Sequence, residues 1–359
     1  MSEPGSGSIS EATREGSRNV RPGREATTGV NVRGARGQVR GRRRAEELMV
    51  PDATFSSYYG KPVLNPPVWS VPDIPGYLFL GGLAGGAAVV GAFAQATSRP
   101  ALARASKAGA AGSIGLSLLA LIHDLGRPMR FINMLRVVKP TSPMNVGTWL
   151  LSAFAPAAFT AAASDITGLM PPLGTAGTVG AAVVGPAVAS YTGVLFSNTA
   201  VPAWHDARRM LPYLFVASAA SSAAGLGLLA APRRESAPMQ RLGAVAGITE
   251  VALSQLIERR SGLAGEAYGK GRAGWLMKVA EGLTAGGAVA SALLAKRSRT
   301  GAAVAGAALL AGSACLRFGV FEAGMASARD PRYTVQPQRE RVERGQAAGS
   351  RHTGASSAG

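Results

Sequence analysis

The chain has 359 residues, of which 47% are hydrophobic and only 16% charged, and it carries a formal net charge of +18. That is more apolar than a soluble domain of this length requires, and it suits a protein whose solvent is largely lipid. The excess of base does not indicate a nucleic-acid partner: 11 of the 38 Lys and Arg lie before residue 62 and six after residue 328, and no basic run is interleaved with aromatics that would stack on bases.

The first 47 residues are polar, Gly/Ser-rich and Arg-rich with no apolar core segment, so they read as a disordered cytoplasmic tail and not as a signal peptide. Residues 48–327 read as the membrane domain and 328–359 as a polar, basic tail. Uncharged runs long enough to cross the hydrocarbon fall at about 74–97, 106–123, 145–167, 174–197 and 211–231, with Lys107 at the edge of the second, where a lysine can snorkel. The run Met170-Pro171-Pro172-Leu173-Gly174 divides spans three and four, since adjacent prolines end one helix and set a tight turn.

Three weaker spans follow at about 240–258, 276–295 and 300–322, carrying Glu250, Glu281 and Arg317 within the apolar stretch. A charge in lipid is costly unless it faces the bundle or water, so these helices are expected to turn those residues inward. Lys278 and Glu281, three apart, are expected to pair, whereas Arg317 and Glu322, five apart, are expected to find separate partners. The fold class is therefore all-α, a polytopic bundle of about eight transmembrane helices whose many Gly and Ala allow close packing. The tails, with the loops after spans two, four and six, hold most of the Lys and Arg, which predicts that both termini are cytoplasmic.

The single Cys315 can neither close a disulfide framework nor hold an iron–sulfur cluster, which takes about four thiolates, so any cluster must belong to a partner. The histidines are His123, His205 and His352. The last is in the tail and the first two fall near helix ends, so no haem is expected in this chain. The most informative segment is His123-Asp124-Leu125-Gly126-Arg127-Pro128, followed by Arg130-Phe131 and Lys139-Pro140-Thr141-Ser142-Pro143-Met144. Gly126 and Pro128 should stop the second helix and leave a His, an Asp and an Arg at the membrane surface. The same residues also suit a capped helix end whose arginines meet lipid phosphates.

This segment resembles the loop between spans two and three of the NrfD family, the polysulfide-reductase-type membrane subunits. Further segments are similar to actinobacterial members: Asp73-Ile74-Pro75-Gly76-Tyr77, Asp165-Ile166-Thr167-Gly168, Tyr191-Thr192-Gly193-Val194-Leu195, Thr199-Ala200-Val201-Pro202-Ala203-Trp204-His205, and Arg317-Phe318-Gly319-Val320-Phe321-Glu322. Together they cover roughly residues 50–340. The resemblance implies a quinone-reactive anchor in the bacterial inner membrane. Such a subunit passes electrons between a ferredoxin-like iron–sulfur subunit and the quinone pool, with a molybdenum or tungsten catalytic subunit beyond and proton translocation as a further option.

By that resemblance Tyr191, His123 and Arg127 would contact the quinone, menaquinone or ubiquinone. Tyr191, His123, Asp124, Asp165 and Glu250 would bind it or relay protons. Each has a plainer reading: a core or interfacial tyrosine at 191, a solvated helix end at Asp165, a structural hydrogen bond at Glu250. Two rival functions stand beside the quinone subunit. One is a secondary transporter, for which Pro186 would mark a broken helix although the halves show no repeat. The other is an anchor that never touches quinone.

Overall fold

The computed structural model describes residues 63–126 and 129–342. Arg127, Pro128 and the tail expected over residues 1–47 lie outside them. An extended segment leads into helices α1 (Asp73–Ala96), α2 (Pro100–Leu125), α3 (Met129–Met134), α4 (Pro143–Thr167), α5 (Pro171–Ser197) and α6 (Pro202–Asp206). There follow α7 (Leu211–Ala230), α8 (Ala237–Arg260), α9 (Gly262–Gly269), α10 (Gly271–Leu293) and α11 (Arg299–Arg329).

Prolines and glycines punctuate these elements as their backbone chemistry dictates. Proline occupies the first turn of α2, α4, α5 and α7, where a missing N–H costs no intrahelical bond. Gly126 ends α2 at φ 70° and Gly168 ends α4 at φ 73°, a conformation open to glycine without strain. The prolines at 171 and 172 open α5 immediately after the turn at Met170. Pro186 does not break α5, which runs without interruption from Pro171 to Ser197, so the discontinuous helix that a transporter reading would invoke is not present there.

Pro66–Ser327 forms one compact unit. Within it α1 packs against α2, α5 and α7, while α4 packs against α5 and α2. On the far side of α7, helices α8 and α10 pack together, and Ala302, Ala305 and Leu309 of α11 share a core cluster with Ala223, Ala224 and Leu228 of α7. The result is two groups of four long helices meeting along α1, α5 and α7. The α1–α5 crossing depends on glycine: a Cβ on Gly85 would lie 2.4 Å from the carbonyl oxygen of Gly185, and one on Gly185 would lie 2.6 Å from that of Gly85. Lipid supplies no hydrophobic force between helices, so this backbone approach and its dispersion contacts replace it. The second unit includes residues 63–65 and 328–342 among those described, with a helix over 332–342.

Six of these helices, α1, α2, α4, α5, α7 and α11, are long and apolar enough to cross a membrane. Helices α8 and α10 fall at the sixth and seventh expected spans and have 24 and 23 residues. They are more polar, carrying Arg241, Glu250 and Glu258 in one and Arg272, Lys278 and Glu281 in the other.

The inward-facing expectation is met at Glu250 and Arg317, each only 1% exposed. Arg317 donates to the carbonyl of Phe215 at 2.9 Å and lies 3.7 Å over the Phe215 ring, while Glu322 approaches Arg272. The expected Lys278–Glu281 pair does not form. Glu281 instead accepts a 3.0 Å hydrogen bond from Ser254 of α8, because the packed neighbouring helix offers a closer donor than its own surface does. Lys107 does not snorkel either; it is 7% exposed and bound to Asp165.

Candidate functional site

The two ends of the α1, α2, α4 and α5 group carry different chemistry. At one end, where α1 and α4 begin and α2 and α5 finish, an open cleft of about 550 Å³, its mouth included, lies between the helices. Leu121, Leu151 and Leu195 give it apolar walls, and Tyr77, Tyr191 and Thr148 supply its polar atoms. Met134 and Met144, which flank the connection between α3 and α4, close it from outside with polarizable, adaptable side chains.

Tyr191 is 8% exposed and lines the cleft, and its phenol hydroxyl has no hydrogen-bond partner among the described residues. A phenol that lines a cleft with its hydroxyl unspent can donate to a ligand that enters. Its ring fits only because position 147 is glycine: a Cβ there would lie 2.1 Å from Cε2 and 2.6 Å from Cζ of Tyr191.

The mouth is lined by a connected polar chain. The Asp124 carboxylate accepts from the Ser70 backbone N–H at 2.9 Å and from the Ser70 hydroxyl at 3.0 Å. The same hydroxyl is 2.5 Å from Asp73 Oδ2, which lies 2.8 Å from His123 Nδ1. The His123 side chain is 79% exposed, so this chain leads from solvent to the cleft. Trp69 holds the extended segment in place, with its ring 5.6 Å from that of Phe196 and 5.7 Å from that of Trp204, near-parallel in both cases.

Of the residues singled out in the sequence, Asp124 and Tyr191 therefore line one cleft, and His123 is joined to it through Asp73 and Ser70. Asp165 does not join them. It sits at the other end of the same helices, bridged by Lys107 Nζ at 2.9 Å and Arg104 Nε at 3.2 Å. Glu250 does not join them either: it is enclosed between α8 and its neighbours near Arg317, Ser218, Ser221 and Thr284. Arg127 lies outside the described residues. His205 is exposed at the end of the short helix α6.

Sequence reading passed over Ser70 and Thr148, and it met Gly147 only as a motif residue two positions before Trp149. Ser70-Val71-Pro72-Asp73 did carry a signal, a Ser three residues before an Asp just ahead of an apolar run. The role of Gly147 was not legible there, because only the approach of α5 supplies it.

The family model described as polysulphide reductase, NrfD, matches residues 62–257, which is more than half of the chain. The chain belongs to the NrfD family. The matched stretch contains every cleft residue named above, while the Arg317 to Glu322 segment lies beyond it. No curated protein matches the chain significantly. An NrfD-family chain with six helices apolar enough to span a bilayer is a multi-pass membrane protein, and it fits a membrane subunit of a respiratory oxidoreductase.

Proposed function

We propose that this NrfD chain is the quinone-reactive subunit of an iron–sulfur, molybdopterin-type complex in the bacterial inner membrane, both termini cytoplasmic, and that the quinone ring docks in the cleft beside Tyr191. The observation carrying this reading is Tyr191, a mostly buried tyrosine that lines an apolar cleft beside Asp124 and whose hydroxyl has no partner among the described residues. Apolar walls with a few convergent polar groups are what a flat, hydrophobic headgroup requires.

The quinone supplies the two-electron, two-proton chemistry. The chain's own residues bind, orient and protonate. Tyr191 donates a hydrogen bond to a ring carbonyl and fixes the ring in the slot. Leu121, Leu151 and Leu195 exclude water, which strengthens that bond. His123 exchanges a proton with solvent, and Asp73, the Ser70 hydroxyl and Asp124 carry it inward over contacts of 3.0 Å or less.

An electron donor must sit near the ring, so the iron–sulfur subunit belongs on this end. The connection after α2 suits it, presenting exposed Met129, Ile132, Val137 and Val138 beside Arg130, Arg136 and Lys139. Asp165 and Glu250 have no part in this cleft chemistry.

The test uses the full chain in lipid nanodiscs, titrated with a naphthoquinone while tryptophan emission is followed, since Trp69 lines the cleft. Saturable quenching is expected, weakened roughly tenfold in Tyr191→Phe, the order of one lost hydrogen bond. Equal affinity in the wild type, Tyr191→Phe and Asp124→Asn would remove the quinone from this cleft.

A further inference from the structure

The end opposite the cleft carries a second built site that the quinone reading does not use. Two adjoining grooves of about 440 and 450 Å³, open to solvent, share Gln95, Lys107 and Asp165 as lining. Arg99 and Arg104 border one of them, and Thr175 the other. Three cations thus surround one carboxylate, leaving a local surplus of positive charge at the level where the helices of this group end.

The donors around these grooves are largely unspent. Arg104 uses only Nε, on Asp165 at 3.2 Å, and its side chain is 68% exposed. Arg99 donates one bond, to the Thr97 carbonyl at 3.3 Å, and leans over the Phe93 ring. Lys107 spends one of its three ammonium protons on Asp165 at 2.9 Å. Gln95 reaches Thr175 at 3.3 Å. Around this polar floor the surface is apolar, with Phe93, Ile166, Leu169 and Met170 exposed.

A fork of guanidinium donors at the level of the helix ends, rimmed by apolar side chains, matches a phosphate that enters with acyl chains attached. We propose that this groove binds the headgroup phosphate of an anionic phospholipid through Arg99, Arg104 and Lys107, with the chains lying along Phe93 and Ile166. Asp165 holds Lys107 and Arg104 in place in the absence of lipid and keeps the buried ammonium paired. The site lies apart from the cleft, so it stands whether or not the cleft takes quinone.

Native mass spectrometry of the full chain in neutral detergent tests the assignment, with dioctanoyl phosphatidylglycerol, dioctanoyl phosphatidylcholine and inorganic phosphate as probes. Phosphatidylglycerol should bind in preference to phosphatidylcholine. Arg99→Gln/Arg104→Gln should weaken its binding about thirtyfold, from roughly 1 kcal/mol per basic residue. The charge-matched control Arg259→Gln/Arg260→Gln, two exposed arginines at the end of α8, should retain wild-type binding. Equal losses in the two variants would mean that the lipid responds only to the overall charge of +18 and would overturn the site. So would full displacement of the lipid by inorganic phosphate, which would make this a free-anion site. Circular dichroism keeps the comparison to folded protein.

Discussion

Gly147→Ala puts the proposed role of Tyr191 under the sharpest strain. The added methyl would lie 2.1, 2.6 and 2.9 Å from Cε2, Cζ and Cδ2 of the Tyr191 ring, against a normal contact of about 3.5 Å or more between carbons. The ring must therefore move by more than an ångström, or α4 must part from α5. Overpacking of this kind costs about 1–3 kcal/mol of stability, read as a lowered melting temperature in detergent.

If Tyr191 is the donor to the quinone, the displaced hydroxyl also loses its bond, and affinity should fall by roughly tenfold. The Tyr191→Phe background separates the two effects. Phenylalanine keeps the ring, so the stability loss from Gly147→Ala should persist there, whereas its effect on naphthoquinone quenching should vanish because no hydroxyl is left to misplace. An unchanged binding penalty in the Tyr191→Phe background would refute the reasoning, since the glycine would then be shaping the cleft without acting through the phenol.

Three further substitutions test the frame around the site. Gly324→Ala would bring a Cβ within 1.9 Å of Trp204 Cε2 and disturb the 2.7 Å bond from Trp204 Nε1 to the Val320 carbonyl; a loss of about 3 kcal/mol is expected, measured by thermal unfolding. Arg317→Met leaves Glu250 buried without its nearby positive charge and should destabilise by about 3 kcal/mol, whereas Glu250→Gln/Arg317→Met should be milder than Arg317→Met alone. Arg299→Ala removes the guanidinium that caps the C-terminal end of α7, where it donates to the carbonyls of Leu228, Leu229 and Ala231. It should cost about 2 kcal/mol and increase hydrogen exchange at that helix end.

Much of this protein was already legible in the order of its residues. Apolar runs of about 20 residues bounded by Pro, Gly and charge located α1, α2, α4, α5 and α7, because a helix satisfies its own backbone and needs only length and hydrophobicity to cross lipid. The stops at Gly126 and Gly168 follow from local backbone chemistry, and so does the placement of His123 and Asp124 at a helix end. The NrfD resemblance also rests on local order, and the family match carries it over residues 62–257.

What the sequence could not decide was which distant side chains share a space. Asp165 and Asp124 look alike as carboxylates near helix ends, yet antiparallel packing sends one to each end of the four-helix group. Glu281 turned to Ser254 and not to Lys278 because a neighbouring helix supplied the better partner. Gly147 acquires its meaning only when α5 brings Tyr191 against α4. Periodicity and punctuation are properties of one segment, whereas a cleft belongs to the distances between segments, and those distances are set by close packing across the whole bundle.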